Sequence, residues 1–303
     1  MAARALLLLI LAATLFLVAF LSREPMGHLL AILGNDPAHL PCQLLRVAGG
    51  AAGACGVRMG PPGDALGLGY YSDDSVLLAK RPGGVGSRDV GQLAAQVRSA
   101  ALIALSQPAR IFDEASVDPF RYHRWLFAMD GGFEPLDSFR APLVALLPPL
   151  LARGLGTATD REHLFALALS ELKSLGRLED PDVPAADVAT ALAAAVRTVE
   201  RLAREAGVPR QGSFAVVLTN GRVMAAARRG RPLAYALLEG QPTCVRCGLE
   251  PQGRNDDPSR ADHRRAKAVV LATEPLSGAG FVELADGAVL SIGRGLELGS
   301  STL

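Results

Sequence analysis

The clearest period in the chain is helical. Over residues 185–206, Val188, Leu192, Ala195, Val199, Leu202 and Ala206 fall on one stripe and Gly207 follows as a stop, which predicts a core-packing helix. Residues 160–175, closed by Gly176, predict a second helix, and residues 142–153 a third that Pro148-Pro149 should break. On either side the pattern shifts to short apolar runs. Residues 29–33 predict a strand, residues 37–47 a helix ended by the Gly-rich stretch 49–56, and residues 66–71 with 76–80 a hairpin turning at Ser72-Asp73-Asp74. Residues 97–105 and 125–129 are apolar enough for strands inside a sandwich. Residues 214–219 and 223–227 flank Asn220-Gly221, a pair that favours a type I′ hairpin turn, and Asp286-Gly287 repeats the signal. Residues 248–265 are polar and rich in Pro, Asp and Arg, and read as a solvated loop.

Strands, then helices, then strands predict an α/β protein with antiparallel sheets, since each hairpin needs one face covered. Ahead of this pattern, residues 5–21 are uncharged and almost wholly apolar, with Arg4 before them and Arg23 after. Residues 1–25 are therefore expected to form one N-terminal transmembrane or signal helix. No clean Ala-x-Ala site follows the run, so an uncleaved anchor is favoured over a cleaved export signal, and a mistaken start upstream of Met26 is a third reading. The α-amine and Arg4 outweigh Arg23 beside Glu24, which puts the globular part, residues 26–303, on the non-cytoplasmic side.

Composition narrows the partners. The net charge is +1 and only 5% of residues are aromatic, so there is no basic stripe or stacking platform and nucleic acid is not an expected partner. The four cysteines are Cys42, Cys55, Cys244 and Cys247. In an oxidising compartment Cys244-Val245-Arg246-Cys247 can close a small disulfide loop, whereas in the cytosol the same pair suggests redox work or half of a zinc site. The spacing of Cys42 and Cys55 fits no standard zinc pair. The expectation is a loop disulfide, two buried thiols, and neither metal nor other cofactor.

Several blocks along the chain share an order with a known family. Met26-Gly27 stands where Met-Cys precedes an apolar strand. Gly63-Asp64-Ala65-Leu66-Gly67-Leu68-Gly69 is similar to Asp-Gly-Trp-Gly-Ile-Gly, Gln96-Val97-Arg98 to His-x-Arg, and Asp118-Pro119-Phe120 to His-Pro-Phe. Phe127-Ala128-Met129-Asp130-Gly131 is similar to Tyr-Ala-His-Asn-Gly, Ala158-Thr159-Asp160-Arg161-Glu162 to Thr-Asp-Ser-Glu, and Ala272-Thr273-Glu274-Pro275-Leu276 to Ala-Thr-x-Pro-Leu. Together they resemble the class II glutamine amidotransferases, in particular small stand-alone members. The resemblance implies a four-layer αββα sandwich of two antiparallel sheets, of the N-terminal-nucleophile hydrolase type.

In the enzymes resembled, an N-terminal Cys attacks the glutamine carboxamide and its own α-amine acts as base. Gly27 has no sulfur, and inside a continuous chain its nitrogen is an amide, so the covalent route is missing. Asp130, with Gly131, takes the place of the Asn-Gly that steadies the oxyanion, and an ionised carboxylate donates nothing to it. Arg98 and Asp160 match the positions that hold the glutamine carboxylate and amine. They are expected either to bind an amino-acid or glutamine-like ligand or, through Arg98 pairing with Asp130 or Asp118, to close the cavity. The favoured expectation is an amidotransferase-like protein without glutaminase activity, acting as a membrane-tethered ligand- or partner-binding domain. The alternatives are a divergent amidohydrolase with Asp130 or Asp118 as general base, and a purely structural envelope subunit. The sequence names no protein partner.

Overall fold

A computed structural model describes residues 27–49, 59–61, 63–73, 75–81, 89–108, 114–133, 135–208, 212–250 and 258–303. The expected anchor at 5–21 and Cys55 lie outside the described residues. Among the described residues, no helix is long and apolar enough to cross a membrane.

The chain opens with β1 (His28–Gly34), a 3-10 turn, α1 (Leu40–Val47), the hairpin β2 (Ala65–Ser72) and β3 (Ser75–Arg81), and the short α2 (Val90–Leu93). Then come β4 (Ala101–Gln107), β5 (Phe120–Tyr122) and β6 (Trp125–Gly132). The helical middle holds α3 (Arg140–Ala145), α4 (Pro149–Arg153), α5 (Asp160–Ser174) and α6 (Ala185–Glu205). The last third contains β7 (Ser213–Thr219), β8 (Met224–Arg229), β9 (Ala234–Glu239), α7 (Pro258–Arg265), β10 (Lys267–Ala272), β11 (Val282–Glu283), β12 (Ala288–Ile292) and β13 (Leu298–Thr302).

These strands form two antiparallel sheets, ordered β11-β9-β10-β1-β4-β2-β3 and β13-β12-β8-β7-β6-β5. Side chains alternate across each strand, so the central strands serve two cores at once. Leu29, Ala31 and Leu33 of β1 pack between the sheets with Leu126, Ala128 and Val217. Leu30 and Ile32 turn outward against Leu40, Leu44 and Val47, on and beside α1. On the far side of the other sheet, Phe127, Met129, Phe214 and Val216 meet the buried stripes of α5 and α6. Burial on both faces is why these strands read as continuous apolar runs. The α6 stripe expected from the sequence is the buried one, including Val188, Leu192, Ala195, Val199 and Leu202.

Four local expectations change. The strand expected over 97–105 begins only at Ala101, because Ser99 Oγ accepts from the backbone N–H groups of Tyr71 and Ala101 and ends the ladder there. At Asn220-Gly221 only Gly221 has a positive φ, 88°, and a type I′ turn needs two. Asn220 Oδ1 instead accepts from Arg222 and Val223 N–H in a side-chain turn. Asp286-Gly287 makes no hairpin, since β11 belongs to one sheet and β12 to the other. Finally, residues 258–265 of the expected loop form α7, a helix whose buried residues are Arg260 and His263. An apolar stripe was never there to be read.

Candidate functional site

Gly27 precedes β1 and lies beside Ser106 of β4, the residue paired with His28. Its N–H donates to Asp130 Oδ1 at 3.0 Å, an atom delivered from the opposite sheet by β6. A Cβ built on Gly27 would overlap that carboxylate oxygen and come within 3.0 Å of the Ser106 carbonyl. The Asp130 carboxyl thus fills the volume that a side chain at position 27 would need. Thr273 and Glu274 fix the same strand from the other side, Thr273 Oγ1 accepting from Leu29 N–H at 2.9 Å and Glu274 pairing with His28 at 2.7 Å.

Asp130 is only 3% exposed, and Arg231 Nη2 sits 3.4 Å from Oδ1. Burial pushes its carboxyl above the usual range, while Arg231, the Gly27 N–H and Arg161 pull it back. Arg231 reaches the site from the turn after β8, which Gly230 closes with φ 69°. Asp118 is fully buried, with Oδ1 accepting from Met129 N–H at 3.1 Å and Oδ2 lying 3.6 Å from Arg161 Nε. Burial pushes Asp118 up to about 7 against the pull of Arg161 and the Met129 N–H. The result is two acids and two arginines packed at one end of the interface between the sheets. Gly131 has φ 90°, and a Cβ there would overlap the Ser213 carbonyl, so glycine is required where β6 passes β7.

Of the residues singled out from sequence, Gly27, Asp130, Gly131 and Asp118 come together here. Asp160 lies alongside, but its oxygens accept from the backbone N–H groups of Phe133 at 2.7 Å and Arg161 at 3.0 Å, holding the first turn of α5. Arg98 does not reach this place. It is exposed beyond the Ala101 end of β4, near enough to Asp36 to favour that carboxylate's charge. The Gln107 end of β4, which faces the site, is roughly 20 Å away at about 3.3 Å per residue. Arg98 therefore stands apart from Asp160 and is not the cation beside Asp130 or Asp118. Arg231 and Arg161 make those pairings. Sequence reasoning missed both, although Arg161 follows Asp160 directly; nothing in the spacing pointed to Arg231.

A second cluster lies apart from this one, at residues for which the sequence suggested only a loop disulfide and buried thiols. Cys42, Cys244, Cys247 and His263 each bring one donor atom within 4.8 Å of the others. The expected Cys244–Cys247 disulfide is not formed, and these three cysteines are free.

No protein-family model and no curated protein sequence matches the chain. Solved structures do. A glutamine aminotransferase class-II domain protein from Silicibacter pomeroyi matches at 20% identity and TM-score 0.54, covering 91% of this chain and 99% of that one. A predicted glutamine amidotransferase from Pseudomonas aeruginosa matches at 15% identity and TM-score 0.51 with the same coverages. The glutamine phosphoribosylpyrophosphate amidotransferase of B. subtilis, at 15% identity and TM-score 0.53, is covered over 49% of its length. The protein has the class II glutamine amidotransferase fold.

Proposed function

We propose that this is a class II glutamine amidotransferase-like protein that does not hydrolyse glutamine, a membrane-tethered domain whose former reaction site has become a structural ion-pair cluster. The observation that carries this reading is the Asp130 carboxylate bonded to Gly27 N–H in the space of the missing side chain. Attack on a carboxamide needs a nucleophile, a base and donors for the oxyanion. Position 27 has no side chain, its nitrogen already donates to Asp130, and the group at the oxyanion position is a buried acid. With Arg98 on the outside and Asp160 spent on backbone donors, the recognition role falls to other surfaces and to a partner rather than to a bound amino acid.

The test uses the full chain purified in detergent. Glutamine should yield no ammonia above blank, and a glutamine-mimicking diazoketone should leave no covalent adduct; steady glutaminase turnover would overturn the reading. The tether rests on the apolar run at 5–21 and predicts retention in membranes after alkaline washing. Release of the intact chain by that wash would remove it.

A second reading takes Asp118, buried beside Arg161 with its carboxyl pushed up to about 7, as a general base working near neutrality. It predicts turnover of some other amide or ester that Asp118→Asn abolishes. Turnover unaffected by that substitution would discard it.

A further inference from the structure

We propose that Cys42, Cys244, Cys247 and His263 bind one zinc ion in a closed, four-ligand structural site that fastens α1, residues 241–250 and α7 together. Three thiols and one imidazole suit a tetrahedral ion of intermediate softness. Zn–S bonds of about 2.3 Å at tetrahedral angles place two sulfurs about 3.8 Å apart, whereas a disulfide needs about 2.05 Å. Cys42 Sγ and Cys247 Sγ are 3.7 Å apart. The spacing is that of co-ligands.

The backbone is shaped for the same purpose. Cys244 and Leu249 exchange both backbone hydrogen bonds, N–H to O at 3.0 and 2.9 Å, around a tight turn that Gly248 completes with φ 67°. That turn brings Cys244 and Cys247 to one point, while α1 presents Cys42 from a position 205 residues away from Cys247. His263 is 3% exposed. Its Nδ1 lies 2.8 Å from the Ser259 carbonyl, which fixes that nitrogen as the N–H. Nε2 is left buried with no hydrogen bond of normal geometry, and the ring interacts with the Cys244 thiol. Metal-binding histidines are oriented in this way, by the second nitrogen donating to a carbonyl.

A need for the ion follows from α7 itself. The helix is eight residues long, Pro-Ser-Arg-Ala-Asp-His-Arg-Arg, and buries only Arg260 and His263. A helix so short and polar has neither length nor apolar burial to hold it. Its other ties are an edge-on contact of the His263 ring with His39, centroids 4.4 Å apart, and polar bonds: Arg260 donates to the carbonyls of Glu250 and Pro242, and the His263 carbonyl accepts from Gln241 N–H. With four protein ligands there is no open position for substrate, so the ion's role is mechanical.

The full chain, purified in detergent without chelator and under mild reductant, should carry one zinc per chain by plasma mass spectrometry. A thiol-reactive mercurial should release that equivalent. Cobalt(II) exchanged into the site should give thiolate-to-metal charge transfer and the intense visible bands of tetrahedral coordination. Cys244→Ser and His263→Ala should each lower bound zinc to below about one tenth of an equivalent, while Cys55→Ser retains it all. Because a weakened variant can misfold, the cobalt spectrum of the unaltered chain decides independently. A metal-free protein that yields only octahedral cobalt overturns the proposal, as does iron in place of zinc, or a Cys42–Cys247 disulfide whose reduced form takes up no zinc. None of these readouts depends on the absence of glutaminase activity.

Discussion

Two polar clusters interrupt an otherwise apolar sandwich, and they solve the cost of burial in different ways. At the end of the inter-sheet core, Asp118 and Asp130 lie 3.6 and 3.4 Å from Arg161 and Arg231, so each charge has an opposite charge of the same chain beside it, although Asp118 Oδ2, Asp130 Oδ2 and both Nε atoms make no hydrogen bond. On the outer side of the seven-stranded sheet, Cys42, Cys244, Cys247 and His263 converge, with the buried imidazole facing thiols rather than a charge. The first cluster is built from acids and arginines of the chain itself. The second is organised around something it must receive. A helix that reads as loop in the sequence can therefore carry the ligand chemistry.

The largest expected effect breaks the second cluster. Removing zinc, or making Cys244→Ser, should cost about 4–5 kcal/mol and strip hydrogen-exchange protection from α7 and residues 241–250 before the sheets are affected. Uniform loss of protection would instead put the cluster within the global unfolding unit.

The next effect is a pH dependence at the first cluster. Asp118 titrates near 7 in the folded protein against 3.8 as a free side chain, so the native state holds the extra proton between those values. Its cost to folding is absent below about pH 4, grows as pH rises, and is complete above about 7, on the order of 4 kcal/mol. Asp118→Asn should flatten that slope in urea unfolding at a series of pH values. An unchanged slope would show that Asp118 is ionised throughout, held by Arg161.

Breaking the other ion pair comes third. Arg231→Leu leaves Asp130 buried without its cation and should destabilise by about 3 kcal/mol, recovered in part when Asp130→Asn is added. The cycle should show coupling; simple additivity would mean that Arg231 only packs.

A smaller effect tests the fit at position 27. Gly27→Cys places a Cβ against Asp130 and should cost about 2 kcal/mol of overpacking without restoring glutaminase. Adding Asp130→Gly should relieve the strain. As a baseline, Val245→Ser, at a residue 57% exposed beside the zinc cluster, should change stability by less than about 0.5 kcal/mol and leave zinc content intact.

Much of this protein was legible because burial writes a period into the chain. The stripe of α6 and the apolar runs of β1, β6 and β7 follow from faces that must leave water, the break at Pro148-Pro149 from the missing proline N–H, and each appears in the structure. That position 27 carries no side chain was equally plain, since no fold can add one. Failures came where the deciding group lies elsewhere. Arg98 shares a block with the strand it precedes, yet Ser99 ends that strand's ladder and leaves the guanidinium outside. Residues 258–265 carry no apolar stripe because what they bury is an arginine bound to carbonyls and a histidine aimed at thiols.

By itself, then, the sequence determined most of the helices and strands, the composition of the cores, and the lack of a side chain at position 27. Only the tertiary structure decided that Arg231 and Arg161 face Asp130 and Asp118, and that Cys42 meets Cys244, Cys247 and His263. The reason is geometric. Periodicity reports which way a residue points relative to its own element, whereas the partners of a buried charge or thiol are set by strand order and register between segments far apart in the chain.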